Sequence, residues 1–79
     1  MDKAVFKYCL VARSGVLYVG VCSTFLACVE AAVECKRHWQ RELPHSVFRL
    51  QLFYPNGKRV GKLDVQAALK AMPHLHVAA

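Results

Sequence analysis

STFLACVEAAVECKRHWQRELP, residues 23–44, is the stretch from which the rest of the chain can be read. Phe25, Cys28, Val29, Ala32, Cys35, Trp39 and Leu43 recur in it at steps of three and four, the spacing that gathers side chains on one face of an α-helix. The opposite face carries Glu30, Glu34, Arg37, His38 and Arg41, acids before bases, an order that suits the helix dipole. Ser23 and Thr24 supply the hydroxyl that caps a helix start. Pro44 ends it, because proline lacks an amide hydrogen and disfavours helical geometry at Leu43.

Upstream of this helix the period drops to two. Ala4–Ala12 alternates with Phe6, Tyr8 and Leu10 on one face and Val5, Lys7, Cys9 and Val11 on the other, the larger set marking the core side of a strand. Arg13-Ser14-Gly15 is a polar break with glycine, and the β-branched run Val16–Cys22 returns as the second arm of an antiparallel hairpin. Alternation alone does not choose a face for this second arm. Leu17, Val19 and Val21 are the better core candidates, which leaves Tyr18 and Gly20 on the other side.

Downstream the plan repeats. Ser46–Tyr54 predicts a half-buried strand with Phe48, Leu50, Leu52 and Tyr54 inward and Val47, Arg49, Gln51 and Phe53 outward. Tyr54-Pro55-Asn56-Gly57-Lys58 has the residues of a tight turn, so Lys58–Leu63 is expected as a fourth strand. Asp64 then caps a short helix to Met72, with Val65, Ala68, Leu69 and Met72 on one face, before Pro73 stops it and 73–79 trail as a flexible tail. The predicted fold is α+β in the order ββαββα: a four-stranded antiparallel sheet with the long helix packed on one face and a short C-terminal helix, one domain over residues 1–79. The two halves share architecture without residue-by-residue similarity, which argues against internal duplication.

Composition agrees with a small packed domain. The chain has 79 residues, 56% of them apolar and 20% charged, near the lower size limit for a single unaided core. The apolar run Val16–Val33 is almost long enough to span a bilayer, but Gly15, Gly20, Ser23-Thr24 and Glu30 interrupt it, so no membrane span is expected. Met1–Lys7 lacks the apolar core of a secretory signal. Cys9, Cys22, Cys28 and Cys35 form no C-x-x-C pair and sit in apolar runs, which predicts reduced, buried thiols in a cytoplasmic protein.

Eleven Lys and Arg against five Asp and Glu leave a net charge of +6, which draws a protein toward acidic partners. The open sheet face is expected to display Lys7, Arg49, Gln51 and Phe53, with Lys58, Arg59 and Lys62 close by on the second hairpin. These seven residues are the predicted partner-binding set.

Catalytic signatures are missing: no glycine-rich phosphate loop, no G-x-S-x-G elbow and no pair of acids set for acid and base work. His38 has Glu34 as a local partner, His45 follows a proline, and His74 and His76 stand in the tail without neighbouring ligands, so neither metal nor cofactor is expected. The expectation is a non-catalytic binding protein, a stoichiometric inhibitor or adaptor that docks on a larger protein or nucleoprotein complex. Small phage and mobile-element proteins such as anti-CRISPRs work this way, an analogy of size and character that no motif carries. The alternative is a nucleic-acid-binding module that uses the basic face, and a second copy of the chain is a further candidate partner through the sheet edge or the open face.

Overall fold

The computed structural model describes residues 4–72, so the predicted tail, with Pro73, His74 and His76, lies outside the described residues. Helix α1 spans Phe25–Glu42. The Thr24 hydroxyl accepts a hydrogen bond from the Ala27 amide at 3.2 Å, which caps its start as the sequence predicts. At the other end Leu43 N–H donates to the Trp39 carbonyl at 2.8 Å, and the Gln40 side-chain amide donates to the Ser46 carbonyl at 2.9 Å, tying the turn after Pro44 to the helix.

Strands β1 (Phe6–Ala12) and β2 (Gly15–Cys22) form the predicted hairpin, closed where Gly15 takes a φ of +127° that other residues rarely adopt. Strand β3 (Arg49–Phe53) pairs antiparallel with β1 on its other side, giving the order β2-β1-β3. Tyr8 faces Gly20 on one neighbour and Leu52 on the other, and Leu10 faces Tyr18 and Leu50. Residues directly opposite share a face, so these side chains line the side covered by α1.

That register inverts the expectation for β2. Leu17, Val19 and Val21 are exposed, at 36%, 51% and 61%, whereas Tyr18, Gly20 and Cys22 belong to the helix side. The reason is the size of Tyr8. Its ring lies over Gly20, where a Cβ would overlap it, so β2 turns its glycine rather than its valines toward the core. A β-bulge between Leu10 and Val11 takes up Leu17 as an extra residue, since Leu10 pairs with Tyr18 and Val11 with Val16.

The second half departs from prediction in strand number: the sheet has three strands, not four. The turn forms as expected, with Gly57 at φ +87°, its amide donating to the Tyr54 carbonyl at 2.9 Å, and Lys58 N–H donating to Asn56 Oδ1 at 2.9 Å. The returning chain then pairs only briefly with β3. Tyr54 N–H donates to the Lys58 carbonyl and Val60 N–H to the Leu52 carbonyl, each at 2.8 Å, with a lone bridge between Phe53 and Arg59.

At Gly61 the chain leaves the sheet to start helix α2 (Lys62–Lys70). Val60 is buried next to Leu52, but two residues on, strand alternation would turn the charged Lys62 to that same side, so a longer strand would bring a charge to the core. A helix beginning at Lys62 instead lays Val65, Ala68, Leu69 and Met72 on the core, the face the sequence predicts. Asp64 is not the cap. Gly61 is, without a side-chain bond, and Asp64 in the first turn accepts the Tyr54 hydroxyl at 2.8 Å.

One core cluster joins the sheet to both helices through Tyr8, Cys28, Val29, Ala32, Leu52, Val60, Ala68 and Met72. Phe6, Phe25 and Tyr54 close one end of it, with ring centroids 5.8–6.2 Å apart. The long apolar run divides at Ser23-Thr24 between β2 and α1. Among the described residues, no helix is long and apolar enough to cross a membrane.

Candidate binding surface

The open sheet face carries two kinds of surface side by side. Val19 and Val21 of β2 stand opposite Cys9 and Lys7 of β1, which in turn face Gln51 and Phe53 of β3. The face is therefore apolar along β2 and mixed along β3, where Arg49 follows Gln51 and Phe53 and stands opposite Val11. Lys7 holds its ammonium 5.0 Å from the centroid of the Phe53 ring, a cation–π contact that occupies the aromatic face.

A groove runs along the outer side of β3. Its floor is apolar, made by Phe48, Leu50, Leu52, Val60 and Val65, and its rim carries Arg49, Arg59, Lys62 and Lys36, with Gln51 and Gln66 between them. Among the described residues, no acid lines it. Arg49, Arg59 and Lys62 are exposed, Lys36 is half-buried, and among the described residues none of these cations pairs with a carboxylate. Four positive charges are held there by three separate parts of the chain: α1, β3 and the segment that opens α2.

Of the seven predicted residues the fold gathers Arg49, Gln51, Arg59 and Lys62 around this groove. Lys62 arrives there as the first residue of α2 rather than from a fourth strand. Lys7 and Phe53 pair on the same sheet face at a separate hollow with Val21, Pro55 and Gly57, and Lys58 sits on the exposed turn. Lys36 was not among the predicted residues. Its signal was nonetheless present, because it follows Val29 by seven residues and Ala32 by four, which aligns its aliphatic stem with the buried stripe of α1.

The groove's rim offers hydrogen-bond donors and positive charge, suited to holding carboxylates or phosphates. A second hollow, between α1 and the edge of β2, is lined by Tyr8, Tyr18, Glu34, Cys35, His38 and Trp39. Burial raises the Cys35 thiol above its ordinary value, which keeps it protonated at neutral pH and so a weak nucleophile. Burial also pushes the Cys28 thiol up to about 11, aided by Cys22 beside it. All four cysteines are unbridged, Cys9 and Cys28 buried and Cys22 and Cys35 only partly so. Among the described residues, no group of three His, Cys, Asp or Glu is placed to hold a metal ion. Set against known proteins, the chain matches no family model, no curated protein and no solved structure.

Proposed function

We propose that this chain is a small non-catalytic binding protein, an inhibitor or adaptor, that docks on an acidic surface of a larger protein through the groove beside β3. The observation that carries this reading is the convergence of Lys36, Arg49, Arg59 and Lys62 on an apolar floor with, among the described residues, no acid between them. Like charges gathered without counter-charges repel one another, and an acidic ligand relieves that repulsion as it binds. The apolar floor adds a contribution that salt does not screen, which suits a protein partner with mixed acidic and apolar side chains.

Nucleic acid is the competing ligand, because phosphates would satisfy the same cations. A single strand also needs aromatic faces on which to stack its bases. Here Lys7 lies over the Phe53 ring and Phe48 is buried, so the aromatics nearest the cations are already occupied.

Affinity capture from the native host lysate, run with and without nuclease, tests the choice when a charge-reversed variant, Arg49→Glu with Arg59→Glu and Lys62→Glu, is carried in parallel. The expected result is a defined protein that survives nuclease and is lost with the variant. Loss of all retained material on nuclease treatment would transfer the function to nucleic-acid binding.

A further inference from the structure

The groove lies where a fourth strand would run. Residues 58–60 begin to pair with the outer edge of β3, at Tyr54 and Leu52, and then turn away at Gly61 before reaching Leu50. Backbone groups along a strand point alternately to its two sides. Since Tyr54 and Leu52 bond outward to Lys58 and Val60, Leu50 directs its own N–H and C=O outward as well. On that side Leu50 has no backbone partner among the described residues, and the groove opens in front of it.

We propose that this vacant position is a strand-addition site: an extended acidic segment of the partner protein pairs with β3 along Phe48–Gln51 and completes the sheet. The inference rests on the protein-docking reading above and deepens it by naming the form of the ligand. An open edge of this kind ordinarily invites indiscriminate pairing. Here Arg49 and Arg59 flank it, so a basic or second identical edge is repelled while an acidic one is drawn in.

The pleat dictates the ligand's pattern. Alternate residues of an added strand face opposite sides of the sheet, so acidic side chains at every second position meet Arg49 and Arg59. The residues between them fall toward Leu50 and Val65 on the apolar floor. The vacant stretch, at about 3.4 Å per residue, takes a segment of about four to five residues.

Synthetic octapeptides of alternating glutamate and valine, titrated into the intact labelled protein, provide the test. Fluorescence anisotropy reads affinity, and exchange of the Leu50 amide hydrogen reads pairing at the edge. Expected is saturable binding, slowed exchange at Leu50, and weakening of at least about tenfold in Arg59→Glu, which keeps its fold by circular dichroism. A peptide N-methylated on the alternate residues that face β3 is expected to lose binding, while methylation of the other set leaves it. Equal binding of both methylated peptides, or unchanged exchange at Leu50, would overturn strand addition and leave acidic docking standing. Equal binding of a peptide with glutamine in place of glutamate would overturn the docking reading itself. Displacement of the bound peptide by an equally long single-stranded oligonucleotide, at lower concentration than the peptide's own, would assign the groove to nucleic acid and overturn both.

Discussion

The two edges of the sheet are opposites. β2 runs for eight residues, GVLYVGVC, without a charge and, among the described residues, with no strand on its outer side, whereas β3 runs for five, is partly paired by residues 58–60 and lies beneath a rim of four cations. Only the first of these characters comes from the strand itself. β2 is neutral throughout, but β3 owes only Arg49 to itself and takes Lys36, Arg59 and Lys62 from the helices and the returning segment. An edge acquires binding chemistry from what the tertiary fold brings next to it, and a strand's own residues decide mainly whether it is buried or open.

The largest break in this comparison should come on the β2 side. Gly20→Val places side-chain atoms where the Tyr8 ring lies, and is expected to destabilise the fold by about 3 kcal/mol, read from urea unfolding. No glycine on the β3 side is so confined: a Cβ at Gly57 or Gly61 would meet no atom within 4 Å. If Gly20→Val unfolds at the wild-type urea concentration, the ring does not lock β2 to β1.

On the β3 side, Arg49→Glu combined with Arg59→Glu should abolish binding of the acidic partner by more than about 30-fold while moving stability by less than about 0.5 kcal/mol, because both side chains are exposed. Isothermal titration beside thermal unfolding separates the two effects. A fall in stability as large as the fall in affinity would mean that the cations hold the fold rather than a ligand.

Alkaline pH should strike the Tyr8 side of the core first. Burial raises the Tyr8 phenol from 10.0 to about 12 and the Cys28 thiol from 9.0 to about 11. Both groups are neutral when protonated, and the folded state holds the proton more tightly than the unfolded one. Their contribution is therefore complete below about pH 9 and is lost as pH rises through about 11 to 12. Unfolding free energy measured against pH should be flat to about pH 9 and then decline, and Tyr8→Phe should remove the Tyr8 share, lost between about pH 10 and 12, while the Cys28 share, lost between about pH 9 and 11, persists.

Smaller effects sharpen the contrast. Tyr54→Phe removes the hydroxyl that bonds Asp64 and ties the first turn of α2 to the end of β3, and a slight fall in unfolding temperature is expected, small because the bond is exposed. Val19→Lys should alter stability by under about 0.5 kcal/mol and leave the groove's ligand unaffected. The same variant is expected to suppress any self-association seen by sedimentation at high concentration, since β2 is the strand that carries no charge against a second copy.

Elements whose signal is local were legible from residue order. The helix over Phe25–Glu42 has its cap at Thr24, its stripe of Cys28, Val29 and Ala32 and its stop before Pro44 all within one short stretch, and each acts through neighbours on the chain. The first hairpin and the turn at Tyr54–Gly57 follow from glycine conformations that their positions require. The face of β2 was not legible, because Val19 and Val21 are better core residues than Gly20 by every local measure, and only the bulk of Tyr8 across the ladder reverses the choice.

Of the candidate surface, the sequence placed Lys7, Arg49, Gln51 and Phe53 on one sheet face through alternation alone, a period of two that any paired strand must obey. It could not separate the Lys7–Phe53 pair from the groove, nor bring Lys36 to it, since these depend on which strands neighbour and how α1 lies across them. The fourth strand was the closest contest. Residues 58–63 suit a strand locally, but burial of Val65, Ala68 and Met72 against a core built by distant residues favours starting the helix at Lys62. Sequence by itself determined both helices, the first hairpin and the inward faces of β1, β3 and the helices, because those rest on backbone periodicity and on capping within a few residues. Only the tertiary structure decided that the last strand stops short and leaves a cationic slot beside β3, because that outcome compares burial energies between parts of the chain that meet nowhere but in the fold.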